Sequence, residues 1–143
     1  MTETIGMLLA LSLAVILFLG SVTVHMWSLR AADRWTMARP WSVPTHTGLF
    51  LAILFSHLAV AILFAGGFAF GVSVGLGTFR EEAVMGWMDY FYFSLINITT
   101  LGLGDIYPAQ HLRVVAGIES LTGFLLISCS AQLVWKHMKK GNA

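Results

Sequence analysis

The chain has 143 residues, of which 57% are hydrophobic and 10% are charged, and its formal net charge is +1. This composition excludes an ordinary soluble domain, in which about a quarter of the residues are charged. The sequence contains no nucleotide-binding loop, no catalytic constellation and no basic patch suited to nucleic acid. We therefore expect neither an enzyme nor a nucleic-acid-binding protein. The single cysteine, Cys129, excludes an intrachain disulfide.

The first predicted element is a membrane-spanning helix. No Lys, Arg, Asp or Glu occurs between Glu3 and Arg30, and this stretch exceeds the ~20 apolar residues that a spanning helix needs. A cleaved signal peptide is the alternative, but no basic residue precedes the stretch and the cleavage site after it is poor. We assign residues 1–30 to an extra N-terminal transmembrane helix and residues 31–47 to a cytoplasmic loop.

A second uncharged interval predicts an outer helix over residues 48–79. It contains glycines at four-residue spacing, namely Gly67, Gly71 and Gly75. Such a ridge of small residues lets another helix approach closely, so we predict a helix contact along this face.

Charges around the predicted spans indicate their orientation. The basic residues of the first loop and the C-terminal tail are Arg30, Arg34, Arg39, Lys136, Lys139 and Lys140. Acidic residues cluster in the second loop, namely Glu81, Glu82 and Asp89. Because cytoplasmic segments are enriched in Lys and Arg, we predict a cytoplasmic C-terminus and an N-terminus outside. The small size suggests a bacterial inner (plasma) membrane. The expected interfacial anchors are Trp27, Trp35, Trp41 and Trp87.

Residues 88–108 are too short and too interrupted by Gly and Pro to cross the membrane, so they must enter and leave on the same side. Residues 99–105 read Thr-Thr-Leu-Gly-Leu-Gly-Asp. Successive carbonyls of an extended chain point to opposite sides. Aligning them needs alternate residues in the left-handed conformation, which glycine adopts freely. A row of aligned oxygens can replace the hydration shell of a cation.

This septet resembles the filter Thr-Thr-Val-Gly-Tyr-Gly-Asp of the potassium-channel superfamily, and the resemblance runs from about Asp89 to Trp135. It implies an all-α membrane protein with three transmembrane helices and a re-entrant segment between the last two. The implied elements of a pore domain (48–143) are a pore helix (88–99), a filter (100–105) and an inner helix (110–136).

One chain supplies one filter strand, and one strand cannot surround an ion. We therefore expect a homotetramer that surrounds a central pore and is embedded in membrane lipid. Its ligands would be monovalent cations, above all potassium, and no cofactor or further metal is expected. The residues that hold the permeant ion would be Thr100, Leu101, Gly102, Leu103 and Gly104.

The sequence departs from the family at two filter positions. Leu103 replaces an aromatic residue, often a tyrosine whose hydroxyl bonds the surrounding cuff, and Leu101 replaces a stiffer β-branched valine. The first expectation is a potassium-selective channel, and the alternative is a weakly selective monovalent cation channel. A non-conducting membrane subunit is a third possibility. A membrane protein that binds haem or a transition metal through His25 and His57 is the fourth, although membrane histidines more often bond neighbouring helices.

Other residues are expected to support the filter. Relatives often place an aromatic residue at the position of Tyr92, where it bonds the outer aspartate, here Asp105. A carboxylate inside a membrane helix is costly unless it is paired or faces water, so Glu119 should be functional. Its expected pore-helix partners are Ser94, Asn97 and Thr99. It could instead face the cavity and attract cations, or be protonated and merely tolerated.

The inner helix carries the last predicted site residues. Gly123 falls where the family has its bending glycine. The residues that follow at helical spacing, and that either line the pore or pack helices, are Phe124, Ile127, Ala131, Gln132 and Trp135.

Overall fold

The structure, a computed structural model, describes residues 3–40, 42–81 and 84–141. The predicted anchor Trp41, the acidic Glu82 and the side chain of Lys140 lie outside the described part of the chain. The elements within these ranges are α1 (Glu3–Met37), α2 (Val43–Ser73), β1 (Phe79–Arg80), α3 (Trp87–Ile98), β2 (Tyr107–Pro108) and α4 (Leu112–Gly141).

Three of these helices are long and apolar enough to cross a membrane, namely α1, α2 and α4. Only 28% to 39% of the residues in their most apolar windows are buried inside the subunit. The remaining apolar surface needs cover from lipid or from other chains, because exposing it to water is unfavourable. The prediction of a helical membrane protein with three spanning helices is confirmed.

α1 extends beyond its predicted boundary at residue 30 and ends at Met37, inside the predicted loop 31–47. Its last turns remain helical because they pack against α4. The Asp33 carboxylate accepts hydrogen bonds from Lys136 Nζ at 2.9 Å and from His137 Nε2 at 2.8 Å. Charge alone therefore did not mark the end of this helix, since the charged turn has its partners on another helix.

α2 covers Val43–Ser73, so it begins and ends earlier than the predicted outer helix (48–79). The early start is possible because proline is tolerated in a first helical turn, where N–H groups are unpaired anyway. The helix ends in a Schellman motif: Gly75 has a φ of +75°, and the N–H of Leu76 donates to the carbonyl of Gly71 at 2.9 Å.

Two of the three ridge glycines make close helix contacts. A Cβ atom on Gly67 would overlap the Leu17 side chain of α1, and one on Gly71 would lie 2.7 Å from Leu112 Cδ2 of α4. Gly75 does not belong to the ridge, since it lies beyond the helix and a Cβ atom added to it would have no neighbour within 4 Å. The small residues of α2 thus let α1 and α4 pack against the same helix.

The aromatic core and a short sheet hold α3 in place. Phe93 of α3 packs edge-on against Phe68 of α2, with ring centroids 5.1 Å apart. β1 pairs antiparallel with β2, so that Arg80 lies opposite Tyr107. This ladder was not predicted from the sequence. It ties the segment after α2 to the segment that leads into α4.

A buried histidine joins the three long helices. His25 of α1 is fully buried, with Nδ1 2.7 Å from Ser56 Oγ of α2 and Nε2 3.2 Å from Ser130 Oγ of α4. His57 lies beside it but directs its Nδ1 to the carbonyl of Ile53 at 2.9 Å. His25 therefore bonds its neighbouring helices, which is the common role of a membrane histidine.

Candidate functional site

The site is built around the end of α3. This helix begins at Trp87, where the Gly86 N–H donates to Asp89 Oδ2 at 2.7 Å, and it ends at Ile98. Its bounds lie within one residue of the predicted pore helix (88–99). The chain then enters the segment Thr99–Asp105, which has no regular secondary structure.

The backbone of this segment alternates between two conformations. Thr100, Gly102 and Gly104 have positive φ values of 60°, 53° and 78°. The N–H groups of Leu101 and Gly102 both donate to the carbonyl of Ile96, at 3.0 and 3.1 Å. These two amides are thus directed back to the end of α3. The positive φ values recur at every second residue, as expected for a backbone whose successive carbonyls turn to one side.

The carbonyl oxygens of Thr99–Asp105 accept no hydrogen bond from any described residue. All seven residues are exposed in the single subunit, with Leu101 63% and Leu103 58% exposed. Because no described donor occupies them, these oxygens are open to water or to a ligand. The residues predicted to hold the ion therefore lie together on one exposed, non-helical segment, which is called the open segment below.

Thr100 has a backbone conformation that was not predicted from the sequence. A φ of 60° is unusual for a β-branched side chain and is a local strain. The only signal was its position, two residues before the first of the alternating glycines. Strain of this kind is retained where the surrounding structure enforces it, and here the hydrogen bond from Thr100 N–H to the carbonyl of Asn97 at 3.0 Å contributes.

Asp105 closes the segment and is held by Tyr92. The Tyr92 hydroxyl donates to Asp105 Oδ2 at 2.7 Å, and the Ile106 N–H donates to Oδ1 at 3.1 Å. The hydrogen bond from Tyr92 holds the pKa of the Asp105 carboxyl below its ordinary value. The hydrogen bond that the sequence predicted between these two residues is present.

Glu119 joins α4 to α3. It has no exposed surface, its Oε2 accepts a hydrogen bond from Asn97 Nδ2 at 2.6 Å, and its Oε1 contacts the Ser94 hydroxyl. The Asn97 amide also donates to the carbonyl of Ala116 at 2.9 Å. Of the predicted partners, the structure brings Ser94 and Asn97 to Glu119. Thr99 instead donates its hydroxyl within α3.

Gly123 allows α4 to touch the end of α3. A Cβ atom on Gly123 would overlap the carbonyl oxygen of Ile98 and lie 2.7 Å from its carbonyl carbon. Any side chain would therefore force the two backbones apart. α4 runs as one helix from Leu112 to Gly141, and a bending role for Gly123 stays a prediction. This close contact was not foreseen from the sequence.

The predicted pore-lining residues lie on the exposed surface of α4. Phe124 is 62% and Ile127 is 42% exposed, and Ala131 and Gln132 are exposed as well. They are therefore free to face a pore or another chain.

Comparison with known proteins agrees with this architecture. A family model described as "Ion channel" matches residues 48–140, which include α3 and the open segment. Over 32 residues, the chain is 53% identical to "Potassium channel K2" of Plasmodium falciparum (isolate 3D7). That match covers 22% of this chain and 2% of the relative's length. No solved structure matched the chain. The chain therefore belongs to this ion channel family, within the potassium-channel superfamily.

Proposed function

We propose that this chain assembles as a homotetramer and conducts potassium ions through Thr100–Gly104. The observation that carries the proposal is the alternation of positive φ at Thr100, Gly102 and Gly104, together with carbonyl oxygens that have no hydrogen-bond donor among the described residues. Backbone oxygens arranged in this way replace the water that a cation loses.

The assembly is inferred from the backbone of Thr99–Asp105, which a single subunit leaves uncovered. Non-helical backbone is tolerated at membrane depth only where protein or a water-filled cavity covers it. In the single chain, Thr99–Asp105 is exposed throughout. Four copies around a central axis would cover the outer side of each strand and bring four sets of oxygens to one ion.

The surroundings of the strand favour a cation. The carboxyl end of α3 carries the partial negative charge of its helix dipole, and Asp105 adds a carboxylate at the other end of the segment. Tyr92 holds that carboxylate, while Asn97 and Glu119 hold α3 against α4. The positions of the oxygens thus depend on contacts made outside the strand itself.

A weakly selective monovalent cation channel is the second candidate, and the residues at two positions favour it. Leu103 has no hydroxyl to bond a surrounding cuff, and Leu101 is more flexible than a β-branched residue. Both side chains are more than half exposed in the subunit. Selectivity would then depend on how neighbouring copies pack around them.

Ion flux into liposomes that contain the purified chain tests the proposal. Potassium and sodium gradients are compared for the unchanged protein, for Gly102→Ala and for Gly66→Ala as a matched control, because Gly66 lies in α2 with no atom within 4 Å of an added Cβ. We expect potassium flux above sodium flux, lost in Gly102→Ala and retained in Gly66→Ala. Equal fluxes with the same dependence on Gly102 would establish the second candidate, and flux unchanged in Gly102→Ala would refute both.

Native mass spectrometry tests the assembly separately. The expected result is a particle of four chains released from detergent. A monomer or a dimer that still conducts would contradict the shared pore.

A further inference from the structure

The carboxyl-terminal half of α4 has two different faces. Leu126, Ser130 and His137 are buried inside the subunit, whereas Phe124 and Trp135 are exposed. Leu126 and Trp135 are separated by about two and a half turns at ~3.6 residues a turn, so their side chains project to opposite sides. The exposed face is the one that was predicted to line the pore.

α1 holds α4 by the buried face. Ser130 Oγ lies 3.2 Å from His25 Nε2 of α1. Nearer the end of α4, the Asp33 carboxylate of α1 accepts hydrogen bonds from Lys136 and His137. We call these contacts of Asp33 the α1–α4 clasp. α1 is therefore linked to α4 on the side away from the exposed face.

The clasp fixes both the distance and the rotation of α4. Lys136 Nζ lies 3.0 and 2.9 Å from the two carboxylate oxygens of Asp33, and His137 Nε2 lies 2.8 Å from Oδ1. Hydrogen bonds to an ionised group are stronger than those between neutral groups. Because consecutive residues of a helix project about 100° apart, a carboxylate that binds both residues resists rotation of α4 as well as its separation from α1.

We propose that Asp33 is a positioning residue of the ion pathway, which holds the carboxyl end of each α4 away from the pore axis through the α1–α4 clasp. This role rests on the proposed tetramer, in which the exposed face of α4 lines the pore. Without the clasp, the Trp135 side chains of four copies can approach one another at the axis. An apolar constriction of this kind stops ions by excluding water. α1 thus favours the conducting state, although it contributes no residue to Thr100–Gly104.

Single-channel recording of the full chain in planar bilayers tests this role. Asp33→Ala should lower the ratio of open to closed time by about tenfold, because small contributions from four clasps multiply when the copies move together. The current through an open channel and the preference for potassium should not change, because Thr100–Gly104 is unaltered. A variant that only folded poorly would give fewer channels with an unchanged ratio.

Three further variants make the test specific. Glu3→Gln removes a carboxylate from the other end of α1 and should leave the ratio unchanged. Asp33→Lys with Lys136→Asp restores an ion pair of the opposite direction and should recover part of the loss. Asp33→Ala with Trp135→Ala removes the side chain that would close the pore and should recover most of it.

A distance measurement tests the same role without ion flux. A spin label is attached to Lys139→Cys in a Cys129→Ala background, and pulsed electron paramagnetic resonance measures the distance between labels on different copies. We expect a shorter distance when Asp33→Ala is added than in the parent or with Glu3→Gln. A shorter distance in a protein that does not conduct would support the role of Asp33 in positioning α4 while refuting the proposed function.

Two results would overturn the role of Asp33 alone. One is potassium flux with an unchanged open ratio and an unchanged label distance in Asp33→Ala. The other is a loss of open time that neither the charge exchange nor Trp135→Ala recovers, because the effect would then be general damage to the subunit. The absence of any distance between copies would refute the tetramer and this role together.

Discussion

The segment Thr99–Asp105 directly follows α3, which packs against α4. The polar groups at the α3–α4 junction and those of this segment differ in where they find hydrogen-bond partners. At the junction, Asn97 and Glu119 place their polar atoms against partners in the same subunit. In the segment, the carbonyl oxygens accept no hydrogen bond from the described residues, and every residue is exposed. A single chain therefore pairs the polar groups of the α3–α4 junction, but it leaves the carbonyl oxygens of Thr99–Asp105 without a hydrogen-bond donor among the described residues.

This difference separates stability from activity. Changes at the junction should lower the free energy of unfolding, because the groups there are buried and paired within the subunit. Changes in the open segment should abolish ion flux with little loss of stability, since the single subunit gains few contacts there. The following predictions test that separation, from the largest effect on unfolding to the smallest.

Gly123→Ala should have the largest effect. The new Cβ would meet the backbone of Ile98, which cannot rotate away, and overpacking against a rigid neighbour costs about 3 kcal/mol. Unfolding in mixed micelles with increasing dodecyl sulfate measures the loss. Gly117→Ala on the same helix is the control, because no atom lies within 4 Å of its added Cβ. Equal stabilities of the two variants would show that the α3–α4 contact is absent.

Glu119→Ala should destabilise the subunit by about 2 kcal/mol, because it removes one of the two acceptors of the partly buried Asn97 amide and one of the two partners of the buried Ser94 hydroxyl. Glu119→Gln keeps one acceptor oxygen and should lose about half as much. The same unfolding assay applies to both variants. If alanine were tolerated as well as glutamine, the hydrogen bonds to this side chain would contribute nothing to the junction.

Gly102→Ala should affect ion flux much more than stability, the opposite of what is expected for Gly123→Ala and Glu119→Ala. Holding alanine at a φ of 53° costs about 1 kcal/mol, yet a change in carbonyl direction should reduce potassium flux by roughly tenfold or more. Flux and unfolding are measured on the same preparation. If Gly102→Ala unfolded as readily as Gly123→Ala, the segment Thr99–Asp105 would contribute to the stability of the subunit, contrary to the expected separation.

Tyr92→Phe should have the smallest effect on stability, since the hydrogen bond to Asp105 lies at the exposed surface. That bond lowers the pKa of Asp105, so the charged form persists to a lower pH than in an ordinary aspartate and is lost as the pH falls through the lowered pKa. Without the hydroxyl the pKa rises toward its ordinary value. Flux measured against pH should therefore fall at a higher pH in the variant, whereas an unchanged profile would mean that Asp105 does not influence permeation.

The sequence was sufficient where a single physical rule dominates. Long uncharged stretches predicted the three spans, and alternating glycines predicted a left-handed backbone at Gly102 and Gly104. The cost of an unpaired carboxylate in a membrane helix predicted partners for Glu119, of which Ser94 and Asn97 are present. The spans and the glycine conformations depend on the residues themselves and their immediate neighbours, whereas the partners of Glu119 were expected because the family resemblance implied a pore helix beside the inner helix.

The sequence was insufficient where distant segments meet. The length of α1 depends on Lys136, and the need for glycine at residue 123 depends on the carbonyl of Ile98. The pairing of Arg80 with Tyr107 depends on two strands of two residues each, too short to give an alternating pattern. The positive φ of Thr100 opposes its own side-chain preference and is supported by the hydrogen bond from its N–H to the carbonyl of Asn97, at the end of α3.

The links between α1 and α4 bear on how the chain is inserted as it is synthesised. His25 bonds Ser130, which is 105 positions later, and Asp33 bonds Lys136, which is 103 positions later. When α1 leaves the ribosome, neither partner has been made. Until α4 is made, His25 and Asp33 must therefore be solvated or contact other partners at the translocation machinery. The packing of α1 against α4 can form only after the last span has been synthesised.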